Sequence, residues 1–301
     1  MKTPVWKFPS VSDSEWIHHL TELNKCMGSD TSYANLFFLR KKYNIEISFY
    51  KDCLLRHYNG TGSRLGYGFP IGGTDIAEIV RVLRQDARQR GEPFAFCLVT
   101  EEQKAVLEHW FPGSFTYTEN RNDADYIYLQ SDLAFLKGKK YHKKKNHVSR
   151  FQRKYNDHCF RTINEYNKDD AWRVAVAWHR NHKGHSSTAQ NLELEAIREA
   201  LYYFEDLQLK GGILYVFCEP VAMTIASPIS PRICDIHFEK ALESYAANGA
   251  YAVINQKSAS LLTEYTYINR EEDIGLPGLR DAKSSYHPAI LLKKYYAQWN
   301  D

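Results

Sequence analysis

The stretch from Asn269 to Pro288 holds the chain's densest run of side chains able to move protons or hold charge. Glu271, Glu272 and Asp273 come first, followed by Arg280, Lys283, Tyr286 and His287. Gly275 and Gly278 lie between the acids and the bases and let the backbone turn tightly. Just upstream, Tyr265-Thr266-Tyr267-Ile268 is a β-favouring run of the kind that ends a buried strand, and Ala289 to Tyr296 reads as a helix. The polar block therefore falls where a strand hands over to a helix, at a sheet edge suited to an active-site rim. The same composition also describes a surface loop whose charges neutralise one another. The local sequence leaves both readings open.

A second concentration of charge lies at residues 137–154, with Lys137, Lys139, Lys140, Lys143, Lys144, Lys145, Arg150, Arg153 and Lys154 and no acid among them. Leu133, Leu136, Tyr141, Val148, Phe151 and Tyr155 recur at helical intervals, so one helix can carry a buried stripe and a cationic face. Such a face is either a solvated linker or a surface for phosphates, whether of RNA, a nucleotide or anionic lipid. Gly72 and Gly73 precede a helix whose free N–H groups could hold an anion, although a tight turn explains two glycines equally well. His179, His182 and His185 are three apart, but no fourth ligand stands nearby and Arg180 and Lys183 add positive charge. They read as surface histidines, and no metal is expected. No Gly-x-Ser-x-Gly elbow exists, and no cysteine has an identifiable histidine partner.

The elements that must position these groups follow an α/β plan. With 301 residues, 44% hydrophobic and 25% charged, the chain can fill two domains of about 150 residues each. A helix over 13–26 precedes three strand-like pieces at 36–39, 45–50 and 53–58, read as a meander. A strand ending at Gly73, a helix from Ile76, a strand at 94–99, a helix at 101–110 and strands near 115 and 126 complete the first half. The second half repeats the plan, with a strand from Cys159, helices at 169–178 and 192–209, a hairpin turning at Glu219-Pro220, a strand at 233–238 and a helix at 250–264. The resulting segments are an N-terminal domain at 1–135, a basic linker helix at 136–157 and a C-terminal domain at 158–301. The net charge of +3 does not announce a nucleic-acid protein, so the distribution of charge matters more. Six scattered cysteines without a CxxC pair suit reduced thiols in a cytoplasmic protein, and no apolar run reaches transmembrane length.

Two motifs together resemble the phosphatidylglycerol lysyltransferase C-terminal-like family. They are Leu136 to Phe151 in the middle and, toward the end, His237-Phe-Glu-Lys-Ala with Ile254-Asn-Gln and Asn269 to Pro288. The resemblance covers essentially the whole chain. It implies two tandem copies of the Gcn5-related N-acetyltransferase (GNAT) fold, as in the Fem-type aminoacyl transferases, with mixed central sheets flanked by helices. It further implies transfer of an aminoacyl group from charged tRNA, or of an acyl group from a thioester such as acyl-CoA, to an amine or hydroxyl acceptor. The chain departs from the family in two ways. It lacks the long membrane-spanning N-terminal region of the lysyltransferases, and no pyrophosphate loop follows Cys234 to Glu239.

Transfer of this kind needs a base, an oxyanion partner and a grip on a phosphate-rich donor. The resemblance assigns the first task to Glu239, Glu271 or Asp273, as base or amine-holding carboxylate, with His237 as a second base. In an alternating strand, Asp235 and His237 share a face. Lys283 or Arg280 becomes the electrostatic clamp, Lys140, Lys143, Lys144, Lys145 and Arg150 the donor grip, and Asn269, Tyr286 and His287 substrate contacts. The expected partners are tRNA, an anionic phospholipid surface and a small-molecule or lipid acceptor, with no resident cofactor. Two alternatives stand beside this reading: an acetyl-CoA-dependent N-acetyltransferase using Gly72 and Gly73, and a non-catalytic RNA- or lipid-binding module.

Overall fold

The structure is a computed structural model that describes residues 3–60, 63–181 and 188–300; His182 and His185 lie outside them. The chain divides into two compact units. Unit 1 comprises Met1–Asp125, Glu272–Pro277 and Leu291–Asp301, and unit 2 comprises Tyr126–Glu271 and Gly278–Ile290. Residues 136–157 thus fall inside unit 2, and the last eleven residues inside unit 1.

Unit 1 contains helices α1 (Ser14–Leu23), α2 (Tyr33–Leu39), α3 (Ile76–Arg90) and α4 (Glu101–Trp110). Its strands are β1 (Ile45–Tyr50), β2 (Cys53–Asn59), β3 (Leu65–Gly68), β4 (Ile71–Gly72), β5 (Ala95–Val99) and β6 (Phe115–Glu119), joined by β14 (Tyr295–Trp299). The sheet order is β1-β2-β3-β5-β14-β6, with β4 on β2 and only β3 and β5 pairing in parallel. Helix α3 forms because apolar residues recur on one face: Ala77, Ile79, Val80, Val82, Leu83 and Ala87 are buried. The Asp75 side chain accepts the Glu78 N–H at 2.8 Å to start it, and Gly91, at φ 71°, ends it. Tyr67, Phe94, Phe96 and Phe115 fill the core, with Ala297 of β14 among them.

A buried charge network fastens the C-terminal segment into unit 1. Lys294 Nζ lies 2.9 Å from both Asp30 Oδ1 and Asp125 Oδ1, Arg56 Nη1 lies 2.8 Å from Asp30 Oδ2, and Ser29 donates to both Asp125 oxygens. Burial alone would raise the Asp30 carboxyl; Lys294 and Arg56 hold it far below the usual carboxylate range instead.

Unit 2 is built on β7 (Asp125–Leu129), β8 (His158–Thr162), β9 (Lys210–Val216), β10 (Glu219–Ser230), β11 (Ile233–Ala241), β12 (Tyr267–Asn269) and β13 (Ile290–Leu292). Their order is β13-β7-β12-β11-β10-β9-β8. Its helices are α5 (Gln130–Phe135), α6 (His142–Lys154), α7 (Lys168–Asn181), α8 (Thr188–Tyr202), α9 (Glu243–Ala246), α10 (Ala250–Leu261) and α11 (Pro277–Ser284). The β9–β10 hairpin turns at Phe217 and Cys218, with φ of 50° and 64°, two residues before the expected Glu219-Pro220 turn. Strands β11 and β12 are parallel, with α10 between them in the chain. Gly249 opens α10 at φ 107°, and a Cβ there would meet the His147 carbonyl oxygen at 2.4 Å. Glycine is what lets α10 start against α6.

Two expected elements differ. Leu36–Leu39 is not a strand but part of α2, capped by Ser32, which accepts the Asn35 N–H. A short apolar run has no period of its own, and here the cap decides. Residues 289–296 are not helical: they form β13 and the start of β14, because β14 finds pairing partners on both sides, β5 and β6. Of the six free cysteines, Cys53, Cys97 and Cys234 are buried, whereas Cys159 and Cys218 are exposed. No helix among the described residues is long and apolar enough to cross a membrane.

Candidate functional site

In unit 2 the parallel register pairs Asp235 with Asn269, so the chain leaving β12 runs on beside the second half of β11. Arg270 and Glu271 therefore arrive next to His237 and Glu239, at the carboxyl ends of two parallel strands. The Arg270 N–H donates to the Tyr126 carbonyl at 3.0 Å, and the Tyr126 N–H donates to the Glu271 carbonyl at 3.2 Å. Asn269 is fully buried, and its Oδ1 accepts the Glu271 N–H at 2.7 Å. That bond holds Glu271 in the left-handed region, at φ 54°.

Glu239 is the centre of one cluster. Arg270 Nη2 donates to its Oε1 at 2.9 Å, and Asn255 Nδ2, from α10, donates to its Oε2 at 3.3 Å. Thr224 stands opposite Glu239 in the β10–β11 register. Tyr286 closes one side, with the Arg270 guanidinium 5.1 Å from its ring centre and the Lys144 ammonium 3.9 Å from it. Burial lowers the Lys144 pKa, repulsion from Arg270 lowers it further and Glu239 partly opposes them, leaving it at about 8. Burial pushes Tyr286 up to about 12. One helix, α6, thus supplies both a half-buried cation to this cluster and an exposed row, Lys143, Lys145 and Arg150.

His237 is the centre of the other cluster. Its Nε2 lies 2.7 Å from Ser227 Oγ, and its Nδ1 lies 3.3 Å from Glu271 Oε1 and 3.5 Å from Asp235 Oδ2. The ligating atoms of Asp235, His237 and Glu271 lie within 4.8 Å of one another, a donor set that suits a divalent cation. The same contacts form a hydrogen-bonded Ser-His-carboxylate array. Ser227 is fully buried, so its hydroxyl is not placed to attack a substrate. The array orients Glu271, whose side chain keeps 25% of its surface exposed.

The remaining expected residues are distributed as follows. Lys283, 8% exposed, donates to the Arg270 carbonyl, and Tyr128 donates to the Lys283 carbonyl at 2.7 Å, so Lys283 fastens the loop on which Arg270 sits. Arg280 lies half-exposed on α11. Lys140 pairs with Asp132 at 3.2 Å, and its carbonyl lies 3.2 Å from His287 Nε2. Asp273 belongs to unit 1, where it is fully buried, lies 3.3 Å from Arg121 and accepts the Gly275 N–H. Gly72 and Gly73 are also in unit 1, at φ 95° and 71°. A Cβ on Gly72 would meet the Asp52 carbonyl at 2.4 Å, and one on Gly73 would meet Cys53 Sγ at 2.3 Å. Close packing accounts for both glycines.

Sequence reasoning gave no role to Arg270, Asn255, Thr224 or Ser227. Two hydroxyls, Thr224 and Ser227, in the otherwise apolar stretch Val221 to Ser227 were the available signal for both, and Asn255 sat unassigned inside the Ile254-Asn-Gln motif.

The family model described as "Phosphatidylglycerol lysyltransferase, C-terminal" matches residues 22–298. The chain belongs to this family. A conserved protein of unknown function from Bacteroides thetaiotaomicron VPI-5482 superposes with a TM-score of 0.93 at 36% identity, covering 99% of this chain and 100% of that one. The structure of L-PGS from Bacillus licheniformis matches at a TM-score of 0.66 and 16% identity over 97% and 93% of the two chains. FemX matches at 0.61 and 8% over 97% and 96%. The chain spans 56% of a curated relative it matches, an uncharacterised protein of Mycoplasmoides gallisepticum, 24% identical over 181 residues. As a member of the phosphatidylglycerol lysyltransferase C-terminal family, the chain carries a tandem GNAT-like fold with two mixed sheets.

Proposed function

We propose that this protein moves an aminoacyl group from a charged tRNA to a hydroxyl or amine acceptor, in the cytoplasm, with the chemistry in unit 2 at Glu239, Arg270, Glu271 and Lys144. The observation that carries the reading is the pairing of a half-buried cation and a carboxylate–guanidinium pair with an exposed cationic row on the same helix. A polyanionic donor is attracted by the row without being read in sequence, and its 3′ end is delivered to the buried cation.

In this scheme the acceptor oxygen or nitrogen attacks the ester carbonyl carbon. Glu271 takes the proton from the acceptor, held in position by His237. The carbonyl oxygen gains negative charge as the new bond forms, and protonated Lys144 and Arg270 stabilise it. When the carbon–oxygen bond to the ribose breaks, the proton returns to the leaving ribose oxygen. Lys283 acts by fixing the Arg270 loop, and Tyr286 walls the cation in. Asp273 and the glycine pair take no part in this scheme. The packing around Gly72 and Gly73 weighs against their use as an acyl-CoA cradle, so the acetyltransferase reading falls behind. An anionic phospholipid remains the acceptor class the family description suggests.

Thermal-shift titration with charged tRNA, uncharged tRNA and acetyl-CoA tests the choice of donor. The proposal predicts stabilisation by tRNA that weakens steeply with salt, and none by acetyl-CoA. Stabilisation by acetyl-CoA alone contradicts it.

A further inference from the structure

Helix α3 of unit 1 carries a basic face that no step of the transfer scheme uses. Arg81, Arg84 and Arg88 follow one another at spacings of three and four, so they line one side of the helix over about 10 Å. Arg81 and Arg88 are exposed and Arg84 is half-buried. The acids of this helix are engaged elsewhere. Asp75 caps it, Glu78 pairs with Lys51, and buried Asp86 accepts from Trp6, Tyr67 and Arg90. Among the described residues no carboxylate lies within ion-pair distance of Arg81, Arg84 or Arg88.

Aromatic rings are interleaved with these cations. The Arg84 guanidinium stands 4.3 Å from the Trp299 ring centre, and that of Arg81 stands 5.9 Å from the Phe111 ring centre. Trp110, beside Phe111 in the chain, is 53% exposed. Glu101 and Glu102 lie in the first turn of α4, about 15 Å along the chain's helical path from Phe111, and Glu108 accepts the Gly113 N–H. A guanidinium held over a ring has already lost much of its rotamer freedom. Its N–H edge still reaches phosphate oxygens, and its outer face still stacks on a base.

The pattern selects among polyanions. A row suits a chain of phosphates, where a closed pocket would suit a single one. The exposed positions on the outer side of α3 are Arg81, Gln85, Arg88 and Gln89, which offer a bilayer no apolar side chain to take up. Exposed rings and stacked guanidinium planes match unstacked bases, which single-stranded RNA presents and a duplex does not.

We infer that the α3 face of unit 1, formed by Arg81, Arg84 and Arg88 with Trp110, binds single-stranded segments of RNA without reading their sequence. It is a nucleic-acid surface of unit 1 in its own right, additional to the α6 row of unit 2, and it does not depend on whether transfer occurs.

Fluorescence anisotropy of the full-length protein with a short labelled single-stranded RNA, the corresponding duplex and phosphatidylglycerol vesicles tests this. The triple variant Arg81→Gln, Arg84→Gln, Arg88→Gln loses at least 10-fold in affinity for the single strand. Its slope of log K against log salt falls by about 2, as expected for three lost phosphate contacts. The corresponding triple lysine variant keeps the slope but binds about 3-fold more weakly, because an ammonium does not stack as a guanidinium does. Trp110→Ala, outside the row, loses about 5-fold with an unchanged slope and gives a second reading if the triple variant is destabilised. Unchanged affinity and slope in the triple glutamine variant overturn the inference, as does a loss confined to the duplex or to vesicles. Transfer assays separate this surface from the transfer scheme. RNA binding that falls in the variant while wild type discharges no donor supports the surface and defeats the scheme; full transfer with RNA binding unchanged in the variant does the reverse.

Discussion

At the scale of single residues, Lys144 has the most direct consequences. Burial holds its pKa in the folded protein at about 8, below the ordinary lysine value of 10.5. If its protonated form stabilises the oxyanion, kcat/KM falls as pH rises through about 8. Lys144→Arg, which stays charged, moves that limb out of the measured range while keeping part of the activity. The stability consequence has the opposite sign. Between about pH 8 and 10.5 the unfolded chain binds more protons than the folded one, so stability rises with pH over that window. Lys144→Met abolishes the rise, and at pH 7 it raises the melting temperature by roughly 1–3 °C, because a half-buried charge has been removed. Glu239, Glu271, His237 and Lys144 were all legible as candidates from residue type and placement. Arg270 was not, because nothing local distinguishes it from its charged neighbours; only the register of β12 beside β11 brings it to Glu239. Lys283 was visible as a cation, but its role in holding a carbonyl depends on how α11 packs.

At the scale of elements, the site depends on how α6 and α10 meet. Gly249→Ala sets a Cβ 2.4 Å from the His147 carbonyl at a φ of 107°, which an L side chain rarely adopts. The expected cost is about 2–4 kcal/mol, from overpacking and strain together, read as a shift in urea midpoint at unchanged slope. Gly91→Ala, where a Cβ meets nothing within 4 Å, costs less, about 1 kcal/mol, because only its left-handed φ of 71° is strained. Periodic helices such as α3 and α6 were readable because one face repeats over three or more turns. Leu36–Leu39 and residues 289–296 were not, because short apolar runs take their conformation from caps and neighbouring strands. Lys293 and Lys294 fell in the stretch read as a helix, yet they precede and lead into a strand, and Lys294 is buried and ion-paired.

At the scale of the whole molecule, a two-domain α/β plan was legible in the alternation of strands and helices, but the route of the chain was not. β14 comes from the last residues and inserts between β5 and β6 in unit 1, whereas Tyr126–Leu129 of β7 contribute to unit 2. Sequence periodicity shows what an element is, not which sheet receives it. The Lys294 network makes that insertion testable. Lys294→Met leaves Asp30 and Asp125 buried without that cation and costs about 3–5 kcal/mol. Because the Asp30 pKa is depressed on folding, its contribution is present above the unfolded carboxylate value near 4 and is lost as pH falls below it. Denaturation at pH 7 and at about pH 3 shows this as a smaller gap between wild type and variant in acid. The central claim is that unit 2 transfers aminoacyl groups through Glu239 and its partners. The direct measurement is single-turnover discharge of labelled aminoacyl-tRNA onto a phospholipid or amine acceptor, comparing wild type with Glu239→Gln. We predict label in the acceptor with wild type and at least a 100-fold loss with the variant, whose melting temperature stays within a few degrees. No label transferred by wild type across donors and acceptors, or full transfer by Glu239→Gln, would contradict the account.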